Sequence, residues 1–385
     1  MRSSAPPSVT RRSRGPLLVA LALAWTACEG KGTSTGPTAK TNPAPASPAE
    51  APANTSSAPL DGEDGEAPPV RKDGTVYAET EMMGTRFSIN VFVDPGRDPR
   101  DAGAAIVEAL GEVDRIEGLA SEWIPESELS RLNAGAGGPM VPLSEDLYAI
   151  LQRSKVVAEA TQGAFDPTFY AVGKLWSFTP GSRPPTAGAI EERLALVGWE
   201  GIELAGEGRR GRLRRAGMAV GLGAIAKGYA VDRASQRLKD RGFTNHIVEG
   251  GGDTYVSGTK GGKPWMVGIQ RPEGPGSVGA VPMQDRALVT SGGYQRFFEF
   301  EGKRYAHILD PRTGWPLDEA ESALSVSVVA VDATDADAYC TAIAVMGPER
   351  GMAYLETRPD LEGVIITRSG EVRVSSGLRE RFVAP

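Results

Sequence analysis

The 385-residue sequence predicts an α+β domain. Three observations carry that reading. Segments of helical periodicity and segments of strand alternation are mixed without a regular strand–helix–strand rhythm, unlike a doubly wound parallel sheet. The last third of the chain consists mostly of short strands. No G-x-G-x-x-G loop follows a strand and opens a helix, so a dinucleotide-binding βαβ unit is not expected.

The first 70 residues are set apart from that domain. "MRSSAPPSVTRRSRG" is basic, and "PLLVALALAWTA" is an apolar run too short to span a membrane. Together they read as a secretory signal over 1–27. The run stops at "WTAC" and resembles a bacterial lipobox, which implies lipidation of Cys28. The only other cysteine is Cys340, in an apolar run, so an acylated Cys28 leaves no intramolecular disulfide and Cys340 reads as a small core residue. Residues 28–70 are rich in Pro, Ala, Ser and Thr and bury too little to offset ordering entropy, so they read as a disordered tether of about 35 Å. The expectation is an exported protein, lipid-anchored to a bacterial membrane and facing the periplasm.

From residue 71 the pattern changes, and 71–385 reads as one domain. "TVYAETEMMGTRFSINVFV" alternates, with Phe87, Ile89, Val91 and Val93 on one face, which predicts two strands joined near Met83 and Gly84. Ile106, Leu110, Val113, Ile116 and Leu119 recur at helical spacing. A second helix starts at Ser144, a suitable N-cap, and stops at Gly163; a third, "IAKGYAVDRASQRLKDRG", closes at Gly242. Short strands follow in "PWMVGIQ", "RFFEFEG", "RYAHIL", "SALSVSVVAVD", "GVIITR" and "EVRVS". The formal charge of −7 argues against a nucleic-acid partner. Nothing after residue 30 has the length and apolarity of a membrane-spanning helix.

Polar and glycine residues interrupt the apolar runs at "MMGTRFSI", "SELSRLN", "GAFDPTFYAVGKLWSF", "GLGAIAKGYAVD", "VEGGGDTYVSG", "VTSGGYQRFFEFEGKRYAHILDPRTGWP" and "VDATDADAYCTAIAVMG". Singly these are weak: "GGGD" is a turn signal, and Lys227 reads as a helix lysine. The last segment is different, because it carries carboxylates into an apolar helix. A buried carboxylate needs a partner, a proton or a cation. Asp337 and Thr341, four apart, place two oxygens on one helical face; Asp332 and Asp335 read as solvated turn acids.

In order and spacing, these segments over about 75–370 resemble the ApbE family of FAD:protein FMN transferases. The resemblance implies an α+β fold around a flavin-nucleotide cleft, with FAD as substrate. It implies a Mg²⁺ site formed by Asp337, Thr341 and the carbonyl of Ala224. It implies FAD contacts at Met83, Trp123, Ala164, Phe165, Asp166, Lys227 and Leu309. Three protein oxygens, with room for phosphate and water, suit Mg²⁺. Trp123 suits ring stacking, and Lys227 suits a pyrophosphate oxygen. One position departs: the family commonly carries an acid three residues before the carbonyl ligand, and Gly221 stands there. An acid restored at 221 is expected to tighten FAD binding if its absence is a defect, and to do little if another acid, such as Glu249, substitutes.

The implied reaction is phosphoryl transfer. A Thr or Ser hydroxyl of an acceptor protein, of the kind found in membrane electron-transfer subunits, attacks the FMN-side phosphorus of FAD, and AMP leaves. Lys227 and His307 are the candidate catalytic side chains. Of the two histidines, His246 lies in an apolar strand context and His307 in "HILDP". Two rivals use the same site: a Mg²⁺-dependent FAD pyrophosphatase, with water as the attacking group, and a non-catalytic flavin-binding lipoprotein. A Cys340/His307 hydrolase is a weaker third, since Cys340 lacks a recognised nucleophile context.

Overall fold

The expected hairpin forms from β1 (Thr75–Met82) and β2 (Thr85–Phe92). Its two-residue loop, Met83 at φ 52 and Gly84 at φ 68, has the positive φ pair of a tight hairpin turn. This computed structural model describes residues 69–292, 297–318, 320 and 322–385, all inside the unit Ser56–Pro385. The signal over 1–27, Cys28 and the tether as far as residue 68 lie outside the described residues, as do Gly293 to Arg296 of "VTSGGYQR".

Helix α1 (Pro99–Ala120) starts where Asp98 caps the Arg100 N–H and Pro99 opens the first turn; it buries Ile106, Leu110, Val113 and Ile116 as its periodicity requires. After α2 (Glu128–Ala134) and β3 (Val141–Pro142), Ser144 accepts from Leu147 N and opens α3 (Glu145–Ala160). Short α4 (Tyr170–Gly173) and α5 (Ala187–Leu194) lead to β4 (Ile202–Ala205) and β5 (Arg210–Leu213). Helix α6 (Ala226–Asp240) ends before Gly242, which takes the left-handed φ of 78 that closes helices. Then come β6 (His246–Gly250), β7 (Asp253–Ser257), β8 (Trp265–Gln270), β9 (Ser277–Met283), β10 (Arg286–Gly292), β11 (Phe297–Phe300), β12 (Lys303–Ala306) and β13 (Ser325–Ala330). The chain finishes with α7 (Ala333–Glu356), β14 (Glu362–Ile366), β15 (Val372–Val374) and α8 (Ser376–Arg379). Helix α7 kinks where Gly347 takes φ 79 and Pro348 restarts it.

Eight strands form one antiparallel sheet in the order β1-β2-β6-β7-β10-β13-β14-β15. Residues of α1, α3, α6 and α7 pack with Phe87, Ile89, Val248, Val289 and Val328 in one core. The β8–β9 hairpin and Leu378 pack with Val256, Leu288, Val329 and Ile366 in a second. Both faces of the sheet are therefore covered, and β13 is buried at every position. The α+β class holds. Among the described residues no helix is long and apolar enough to cross a membrane.

Candidate active site

The site is built where α6 meets α7. Gly228 permits the contact: a Cβ there would lie 2.1 Å from the Ala333 carbonyl oxygen and 3.0 Å from Asp337 Cβ. With the helices this close, Lys227 Nζ donates to Asp337 Oδ2 at 3.1 Å and to Asp253 Oδ2 at 3.0 Å. The Gly228 N–H also donates to Asp337 Oδ2, at 3.3 Å. Asp253 and Asp337 are 1% and 3% exposed, whereas the Lys227 side chain is 24% exposed and opens the cluster to solvent. Burial alone would lower the Lys227 ammonium; the charges of Asp253 and Asp337 outweigh it and hold its pKa above the ordinary lysine value. Burial and the neighbouring Asp337 push the Asp253 carboxyl well above the usual range, against the pull of Lys227.

Two buried carboxyl groups thus share one ammonium. Thr341 follows Asp337 by one turn of α7, and Ala224 lies in the loop that enters α6. Among the described residues no group of three or more His, Cys, Asp or Glu side chains could hold a metal ion. The donors on offer are carboxylate, hydroxyl and carbonyl oxygens, a hard set that fits Mg²⁺ better than a soft ion. Asp253 was not among the candidates read from the sequence. Its signal was a carboxylate at the mouth of the apolar strand "DTYVS", directly after a glycine turn.

The remaining candidates surround this pair of helices. The Met83 N–H donates to Glu117 Oε2 at 2.9 Å, tying the hairpin loop to the end of α1. Trp123, just past α1, is 78% exposed and lies edge-on to Tyr170, with centroids 6.4 Å apart. Ala164 and Phe165 are buried; Ala164 also lines an open cleft of about 410 Å³ with Thr161, Arg312 and Tyr354. Asp166 uses both carboxylate oxygens within the chain. Oδ1 accepts from the Thr168 N–H and hydroxyl, and Oδ2 from the Trp199 N–H at 3.1 Å. Its carboxylate therefore shapes the loop, and burial raises its pKa in spite of those hydrogen bonds. The Gly221 N–H donates to Pro167 O at 2.9 Å and joins that loop to the α6 approach.

His307 and Leu309 flank Ile308, which packs against the main core. Leu309 packs against the cluster of Val172, Trp176, Phe298 and Tyr305, and the His307 ring stands 6.4 Å from that of Phe178. His246 is a core histidine: Ser235 Oγ and Phe243 O each lie 2.8 Å from its ring nitrogens, and burial lowers its pKa to about 4. Cys340 is fully buried and its S–H points at the Val289 and Val326 carbonyls; burial raises its pKa to about 12, which rules out a thiolate nucleophile.

Asp332 and Asp335 correct the sequence reading, because neither is a free turn acid. Asp332 caps α7 by accepting from Asp335 N at 2.8 Å, and Arg153 lies 3.7 Å from Asp332 and 3.2 Å from Asp335. Burial and the Asp332 charge raise Asp335 to about 6. Asp232 of α6, also missed in the sequence, receives the Ala333 and Thr334 N–H groups, each at 2.9 Å. Burial and Asp332 raise it to about 7.

The ApbE family profile matches residues 83–365, which contain every site candidate described above. The chain belongs to the ApbE family. A FAD:protein FMN transferase of Treponema pallidum is 35% identical over 323 residues, covering 79% of this chain and 88% of the relative. Another protein of that name, from Klebsiella pneumoniae, is 32% identical over 273 residues, covering 70% and 84%. Among solved structures, the ApbE protein of Thermotoga maritima superposes with a TM-score of 0.72 at 32% identity, covering 80% of this chain and 99% of that one. The flavin transferase ApbE of Vibrio cholerae gives 0.70 at 29%, with coverage of 80% and 99%. ApbE membership and the α+β fold thus agree with the motif reading.

Proposed function

We propose that this chain transfers the FMN moiety of FAD to a Thr or Ser hydroxyl of an acceptor protein and releases AMP. The observation that carries the reading is the buried Lys227–Asp253–Asp337 cluster at the α6–α7 contact, in a chain whose relatives are named for this transfer. Lys227, at the open side of the cluster, supplies positive charge to the pyrophosphate. Asp337, Thr341 and the Ala224 carbonyl are the residues to hold Mg²⁺, which when bound would offset phosphate charge. The acceptor oxygen forms a bond to the FMN-side phosphorus as the phosphoanhydride bond breaks, and the bridging oxygen leaves with AMP. The hydroxyl proton goes to a base, for which His307 is the candidate. Trp123 offers a ring face for stacking.

Incubation with FAD, Mg²⁺ and a candidate acceptor, followed by mass spectrometry, tests this. The acceptor gains FMN less one water and AMP appears in equal amount; EDTA stops both. Free FMN with no labelled acceptor, across several acceptors, points to the pyrophosphatase, and intact FAD in all conditions leaves a binding protein. We further propose that 1–27 is removed, that Cys28 carries lipid, and that the domain works at a membrane surface facing the periplasm, within reach of membrane electron-transfer subunits. Cys28→Ala then yields soluble protein or unprocessed precursor. A parent protein that fractionates as soluble, cleaved elsewhere, refutes the anchor.

A further inference from the structure

Position 221 has no room for a side chain. A Cβ on Gly221 would lie 2.8 Å from both Cβ and Cγ of Tyr170 and 2.9 Å from its Cδ2. Tyr170 Cβ is fixed by its backbone, so a side-chain rotation does not clear that contact. Tyr170 therefore fills the space that an acid at 221 would need.

An acid reaches the same loop from the other side. The Leu222 backbone lies beside the Glu122 carboxylate, and Glu122 Oε1 comes within 3.7 Å of a Cβ built on Gly223. Glu122 thus sits over the segment between Gly221 and Ala224. It is half-buried, burial raises its pKa, and no side-chain hydrogen bond to it occurs among the described residues. No ion pair to Glu122 occurs among the described residues. A desolvated carboxylate with no cationic partner has acceptor capacity to spare. The next residue is the exposed Trp123, held edge-on by Tyr170. Tyr170 relates the two, since its ring meets Trp123 while burial and the nearby Glu122 charge raise its pKa, so an exposed indole and a carboxylate with free lone pairs flank one tyrosine. A nucleoside is complementary to this pair, since its base stacks on an indole and its ribose presents two neighbouring hydroxyl donors.

We propose that Glu122 is a substrate-binding residue that accepts hydrogen bonds from the ribose hydroxyls of the adenosine half of FAD, with Trp123 beside it as the stacking face. This rests on the reading of the site as an FAD site and adds to it a residue for one half of the substrate. It also explains how the chain functions with glycine at 221: the acid has moved to the end of α1, and Tyr170 occupies the vacated space.

The test is binding rather than turnover. FAD, FMN, AMP and 2′,3′-dideoxy-AMP are titrated against the parent, Glu122→Gln and Glu122→Ala, with thermal melting as the folding control. Glu122→Gln keeps the shape of the side chain and an acceptor oxygen but loses the charge. Both variants are expected to bind FAD and AMP about tenfold more weakly, a loss in keeping with one charged hydrogen bond, with FMN affinity unchanged. The parent is expected to prefer AMP over the dideoxy compound, and the variants to lose that preference. A parent that binds no FAD overturns the site reading itself. A parent that binds FAD, with variants that keep both its affinity and the AMP preference, overturns only the role of Glu122. Weakening of FMN and FAD alike reduces Glu122 to a loop clamp and also overturns the proposal.

Discussion

Replacing Lys227 by methionine keeps the length of the side chain and removes its charge. Asp253 and Asp337, almost wholly buried, are then left facing each other without a cation. Removing one partner of a buried ion pair costs about 3–5 kcal/mol. The Lys227 side chain is 24% exposed, so water already screens part of the interaction and the low end, about 3 kcal/mol, applies. That is about two orders of magnitude in the folding equilibrium, and in a domain this large a fall of roughly 4–5 °C in Tm. The penalty also depends on pH. The folded pKa of Asp253 lies above its unfolded value, so the folded state holds the extra proton and loses stability as pH rises through that folded value. Loss of the ammonium raises it further, so the penalty is greatest on the alkaline side and shrinks as the pH falls and the carboxyl takes up a proton. Urea denaturation of both proteins over a series of pH values, with EDTA present, measures this. A variant as stable as the parent at the alkaline end, or a penalty that does not change with pH, refutes the account of the cluster.

Asp337→Ala is expected to raise the Mg²⁺ concentration needed for half-maximal FMN transfer by about tenfold or more, whereas Asp332→Ala loses a helix cap worth about 1 kcal/mol and keeps its Mg²⁺ requirement. A Mg²⁺ titration of activity separates the two, and equal requirements remove Asp337 from the metal site. Gly221→Asp is expected to lose about 1–3 kcal/mol of stability by overpacking against Tyr170 and to gain no affinity for FAD; tighter FAD binding at an undiminished Tm contradicts this. His307→Ala is expected to lower kcat about a hundredfold with little change in the KM for FAD, and an unaltered kcat removes His307 from the proton transfer.

The sequence showed what local periodicity controls. The β1–β2 hairpin, α1, α3 and α6 lie where alternation, 3.6-residue spacing, Ser144 and Gly242 place them, because each is decided within a few residues. Less visible was what depends on close approach between distant segments. The "GGGD" turn is real, with Gly251 and Gly252 both at positive φ, yet its aspartate is also buried against Lys227 from another element. The collision between Gly221 and Tyr170 spans two loops, and no local pattern in either one records it. Asp332 and Asp335 looked solvated because Arg153, which pairs with them, comes from α3. Asp232 is read correctly only once the N-terminus of α7 is known to end on it.

Helix α6 grips α7 at three successive places. Lys227 holds Asp337 through its ammonium, Gly228 meets it backbone to backbone, and Asp232 receives the first N–H groups of α7. Three contacts clustered at the N-terminal ends of both helices resist sliding there, so the lysine and the acid opposite it behave as fixed points on one frame. Accommodation of a substrate as long as FAD, and of a protein acceptor after it, then falls to the surrounding loops, and this part of the site gains its accuracy from a spacing that is set before any ligand arrives.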